Sequence, residues 1–153
     1  MIKKISLSLG LFFLILFLVG CGGSTTPDVP KPHAVLTIAV SPEPLAFSRD
    51  FWTGFYSSTF QVIVSEANGV AATLTTVSLR FIFGNSIVYT LTAPGGSVPA
   101  HGTFGGTCSP VVPSLFSEMK IVLAGADANG YPVNVQKSWF FTVAASGRLE
   151  VRR

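Results

Sequence analysis

Chemistry in this sequence has few residues to start from: Cys21 and Cys108, His33 and His101, and seven scattered carboxylates. Nucleophilic catalysis needs a base held against the nucleophile and a third group to orient that base. His33 sits among prolines and His101 in a stretch rich in Gly and Pro, and neither is part of such a set. No Gly-x-Ser-x-Gly occurs, and no glycine-rich phosphate loop opens a helix. Two isolated histidines lack zinc-ligand spacing. The sequence therefore predicts neither an enzyme nor a cofactor. One echo remains, Glu66-Ala67-Asn68-Gly69 and Asp127-Ala128-Asn129-Gly130. Asn-Gly accepts positive φ and closes turns between strands, which by itself explains both copies. If the two turns share one end of a domain, Glu66, Asn68, Asp127 and Asn129 would also offer oxygen ligands to a calcium ion.

A second cluster is aromatic. Phe47, Phe51, Trp52, Phe55 and Tyr56 fall within ten residues, interrupted by Ser48, Arg49, Asp50, Thr53 and Gly54. Aromatic and Arg side chains anchor partner contacts, which makes Phe51, Trp52, Phe55 and Tyr56 candidates for one. The favoured reading is plainer: the aromatics plug an open end of the fold.

These residues must be positioned by the elements around them, and the first element is not part of a globular body. Met1-Ile2-Lys3-Lys4 is followed by an uncharged run from Ile5 to Gly20, dominated by Leu, Phe, Ile and Val. A spanning helix needs about 20 apolar residues; this shorter run behind a positive start has the form of a secretory signal. Leu18-Val19-Gly20-Cys21 resembles the lipobox of bacterial lipoproteins. The resemblance covers residues 1 to about 24 and implies that the signal is removed before Cys21, whose sulfur carries a diacylglyceryl group. Gly22 is not the aspartate that favours inner-membrane retention in that family, so an outer membrane is the expected location where a cell has two.

Cleavage changes the charge. Lys3 and Lys4 leave with the signal, so ten basic residues fall to eight against seven acidic ones, a net +1. That gives no basic face for nucleic acid; only the tail, Arg148, Arg152 and Arg153, is locally basic. With Cys21 lipidated, Cys108 is left alone, as a buried thiol, an intermolecular bridge or a reactive site. Residues 21–33 read as a lipidated cysteine and a Pro/Gly-rich linker, able to span roughly 30 Å where its prolines extend it at ~3.1 Å per residue. Residues 34–153 suffice for one core.

That remainder alternates with period two. Leu36, Ile38 and Val40 share a face, as do Phe60, Val62 and Val64, then Val77, Leu79, Phe81 and Phe83, then Ile87, Tyr89 and Leu91. Met119, Ile121 and Leu123 follow, then Trp139, Phe141 and Val143, with a short strand expected in 97–107 and a tail strand near Leu149 and Val151. Such alternation marks sheets with one buried face. The fold class predicted is all-β, an immunoglobulin-like two-sheet sandwich of about seven strands. Stretches such as Phe60 to Phe83 and Asp127 to Val135 resemble immunoglobulin-like domains of bacterial surface proteins and lipoproteins. In that topology the two Asn-Gly turns lie at the end where the linker attaches, facing the membrane, with the aromatic cluster opposite. The function expected is a membrane-anchored, non-catalytic domain that binds a protein or glycan; the alternatives are an assembly subunit of the cell envelope and, less favoured, an enzyme.

Overall fold

A computed structural model describes residues 29–152. The signal segment, Cys21, the first part of the linker and Arg153 lie outside the described residues. Lys31–Arg153 is a compact unit by itself. Among the described residues the regular elements are twelve strands and no helix. In chain order these are β1 (Leu36–Ser41), β2 (Ala46–Arg49), β3 (Tyr56–Ser57), β4 (Phe60–Glu66), β5 (Ala72–Phe83) and β6 (Ser86–Pro94). They continue as β7 (Ser97–Val98), β8 (Thr103–Cys108), β9 (Val111–Val112), β10 (Glu118–Asp127), β11 (Pro132–Val143) and β12 (Leu149–Val151).

The all-β prediction holds, in two sheets. A three-stranded sheet runs β1-β4-β8, all antiparallel, with Ile38 opposite Val64 and Val64 opposite Phe104. The larger sheet runs β6-β5-β10-β11-β12-β2-β3-β9, with β7 paired to β5. Alternation explains both: in β1 every second side chain is buried, and in β10 Met119, Ile121 and Leu123 are fully buried while Lys120 and Val122 are only half-buried. One apolar core joins the sheets through Val62 and Val64 from the small one and Val77, Leu79, Phe81, Ile121 and Leu123 from the large one.

The structure departs from a plain seven-strand sandwich at the end away from the Asn-Gly turns, here termed distal. The short strands β12, β2, β3 and β9 carry the large sheet around that end. There β3 pairs with β9 (Ser57 opposite Val111), and three residues later in sequence β4 pairs with β8 (Phe60 opposite Cys108). The two strand pairs thus pass from one sheet into the other, and the Thr59 and Ser109 hydroxyls meet at 3.0 Å in the gap. Pro110, which has no N–H to give a ladder, sits in that gap. This corner makes the large sheet curl toward a barrel. On the other side β1 lies beside β11, where the Lys137 ammonium donates to the Ile38 carbonyl at 2.9 Å and rests 5.1 Å from the Trp139 ring centre.

Candidate functional site

The two echoed turns occupy one end of the domain, as the sequence predicts, and they converge on the chain itself. Gly69 (φ 75°) and Gly130 (φ 86°) take the left-handed backbone that each turn requires. The Glu66 carboxylate is buried and accepts N–H bonds from Val35 (3.2 Å), Asn68 (2.7 Å), Gly69 (2.8 Å) and His101 (2.9 Å). The last of these holds His101 in the left-handed region at φ 52°. Asp127, also buried, accepts from Ala34 (3.1 Å), Asn129 (2.9 Å) and Tyr131 (2.9 Å). The amides of Asn68 and Asn129 donate to the carbonyls of His33 and Pro32, each at 2.7 Å. Residues 32–35 are therefore held between the turns by both arms of both motifs. The His33 ring sits against Tyr131, centroids 3.8 Å apart.

Burial pushes the Glu66 carboxyl upward, but its four N–H partners outweigh this and bring it down to about 2. Asp127 is lowered likewise: burial opposes, while the Tyr131, Ala34 and Asn129 N–H groups and the nearby His33 prevail. Donors, not cations, face these oxygens, so the calcium role considered for Glu66, Asn68, Asp127 and Asn129 gains nothing from their convergence. Among the described residues no group of three or more His, Cys, Asp or Glu is placed to hold a metal. Pro32 and His33, assigned to the linker from sequence, are fastened to the body.

The aromatic cluster divides. Phe47 is fully buried and sits at the centre of the distal core, its ring 4.9–6.2 Å from those of Phe60, Phe81, Phe116 and Phe141. Tyr56 is buried against Phe116. These residues plug the end. Phe51 and Trp52 do not: they are 88% and 90% exposed, with Phe55 half out at 38%. That corrects the expectation that the whole cluster plugs the fold. The reason is local. The loop 50–55 closes the β2–β3 hairpin beyond the core, and Phe116, from a Pro/Ser-rich stretch without strand periodicity, packs against Phe47 and Tyr56 to complete the plug.

The loop is tightly built. One Asp50 carboxylate oxygen accepts from the Trp52 N–H (3.0 Å), the Thr53 N–H (2.7 Å) and the Thr53 hydroxyl (2.8 Å). The Asp50 N–H donates to the Phe55 carbonyl, the Gly54 N–H to the Asp50 carbonyl, and the Phe55 N–H to the Thr53 hydroxyl. The Thr53 backbone and side-chain bonds lower the Asp50 carboxyl. Phe51 and Trp52 stand on this turn with rings edge to face, 5.4 Å apart.

Cys108, at the end of β8, lines a small apolar cleft of 130 Å³ with Val62, Val64, Val77 and Phe104. Burial pushes its thiol up, away from the reactive thiolate. A surface depression of 480 Å³ is bordered by Arg148, Glu150, Arg152 and Thr142 and carries no His or Cys.

No protein-family model and no curated sequence matches the chain. Solved structures do share its fold. One is a Bordetella pertussis protein given the name ApaA, 15% identical, covering 71% of this chain and 95% of its own with a TM-score of 0.54. Another is a structural-genomics target, 12% identical, covering 67% and 84% with a TM-score of 0.51. At such identities the likeness is one of fold.

Proposed function

We propose that this chain is a membrane-anchored, non-catalytic binding module: an immunoglobulin-like sandwich, held through lipidated Cys21, that presents its distal aromatic loop to a partner in the cell envelope. Support for the sandwich comes from strand order, β1-β4-β8 against β6-β5-β10-β11, each sheet antiparallel and sharing one core. Support for the anchor is the lipobox resemblance, and the missing aspartate after Cys21 favours an outer membrane. The observation that carries the binding role is the pair Phe51 and Trp52, almost fully exposed on a loop fixed by its own hydrogen bonds. Ordering costs little when a contact surface is preformed. Thr53 and one Asp50 oxygen are engaged within the loop, which leaves the two apolar rings as most of its outward surface, so a glycan, which needs several hydrogen bonds to its hydroxyls, is the weaker of the two expected partner classes. An apolar partner surface is the better fit.

The test is crosslinking in intact cells followed by capture of the full chain. Partner recovery should fall at least tenfold in Phe51→Ser/Trp52→Ser at unchanged protein level; undiminished recovery would remove the tip from the function. The alternative, an assembly subunit, draws on the sheet edges at β6 and β8. It predicts a stable complex that survives loss of both aromatics.

A further inference from the structure

We propose that the Phe51–Trp52 tip enters the interface of a lipid bilayer opposite the one that holds the anchor, so that the domain spans from one membrane surface to another. This rests on reading the tip as the contact surface and Cys21 as the anchor, and it names the partner.

The tip suits the interfacial layer of a bilayer. The N–H groups of Asp50, Trp52, Thr53, Gly54 and Phe55 find acceptors inside the loop, so the tip is ordered before it meets a partner. The ionised Asp50 carboxylate limits its depth: the rings enter the headgroup interface while the turn beneath them stays in water. The side chains agree. Trp is enriched where a bilayer meets water, and Phe adds purely apolar surface. Arg49 ends β2 beside the loop, and Arg148 precedes Leu149, the partner of Phe47 in the neighbouring strand. Both are exposed and can reach anionic headgroups. At the same end Phe83 and Ile87, 51% and 55% exposed, flank the turn between β5 and β6.

The two tip rings alone are small for a protein contact. Two aromatic side chains offer roughly 300–500 Å² between them, whereas a stable protein contact needs about 800 Å² on each partner, with a rim of hydrogen bonds. A bilayer asks for neither. Within the body, residues 32–35 are fastened at the end carrying the Glu66 and Asp127 turns and the tip lies at the opposite end, so a body whose tip is seated on a bilayer turns residues 32–35 away from it.

Tryptophan gives the readout, because Trp139 is buried and Trp52 is not. The full chain is reconstituted into donor vesicles of phosphatidylethanolamine and phosphatidylglycerol, with flotation to verify that it is anchored. Acceptor vesicles of the same composition, carrying brominated phosphatidylcholine as a contact quencher, are then added. The wild type should cluster the vesicles and lose at least a third of its emission. Trp52→Phe should cluster them without quenching, and Phe51→Ser/Trp52→Ser should do neither while melting like the wild type. Absence of both effects in the wild type, or quenching only when the brominated lipid is placed in the donor vesicles, overturns the inference. Tip-dependent crosslinking to a protein in cells without vesicle clustering would also overturn it, yet leave the tip as the binding surface. Failure to float with donor vesicles would instead count against the anchor.

Discussion

At the scale of single residues the aromatic cluster teaches most, because neighbours in sequence have opposite fates. Phe47 is wrapped by four other rings, and truncating a buried Phe removes both its transfer energy and the packing around it. Phe47→Ala should therefore cost about 3–5 kcal/mol in chemical denaturation, a large share of the ~5–15 kcal/mol a domain of this kind has. Trp52→Ala touches nothing in the core and should stay within about 0.5 kcal/mol of the wild type. Equal losses for the two would show that the tip is folded inward. Cys108 behaves as a half-buried thiol, so it should react slowly with a disulfide reagent at neutral pH and rapidly once denatured. The sequence could place the aromatics at one end but could not sort them. Sorting them depends on Phe116, in a segment with no periodic signal, which packs on Phe47 and Tyr56 and completes the plug without the loop aromatics.

Among the elements, β1, β4, β5, β10 and β11 are legible from alternation alone, since each has one face on the core long enough for the period to show. The two-residue strands β3 and β9 have no room for a period, and β2 shows one buried side chain, so the corner that joins the sheets was invisible. The repeated Asn-Gly pairs mark both turns in the sequence. What the turns hold is not legible there, because the groups lie 31 to 97 residues away. The clamp has a pH signature whose sign is fixed by its carboxylates. Glu66 titrates near 2 in the folded chain against an ordinary 4.5, and Asp127 is lowered below its ordinary 3.8. A depressed folded-state pKa stabilises above the unfolded value and loses that contribution as pH falls through the folded one. Melting temperature should hold steady from neutrality to about pH 5 and drop between about 4.5 and 2. Glu66→Gln should melt lower at neutral pH and show a shallower acid slope; an unchanged slope would deny the carboxylate its role. Asn68→Ala/Asn129→Ala should speed amide exchange at Ala34 and Val35, while the β10 amides stay protected. Added calcium or chelator should leave the wild-type melting temperature where it is.

The whole molecule joins an N-terminal segment with the marks of an export signal to a β-rich body that is compact by itself from Lys31 onward. The body's core, clamp and tip draw on residues after position 31, so location and folding should be separable by one substitution. In Cys21→Ser, incorporation of labelled fatty acid should be lost and the chain should no longer be retained as a processed, lipid-bearing form. Several acyl chains hold a protein firmly where a single one binds marginally, since each buried methylene contributes ~0.8 kcal/mol. The melting temperature of the variant should nonetheless match the wild type to within a degree or two, because no residue of the core, clamp or tip is altered. Labelled lipid persisting in Cys21→Ser would sink the anchor while leaving the β fold untouched. A large loss of stability with labelling abolished would have a different meaning: the segment around Cys21 would then belong to the folded body, and the fastening at residues 32–35 would be only part of a longer attachment.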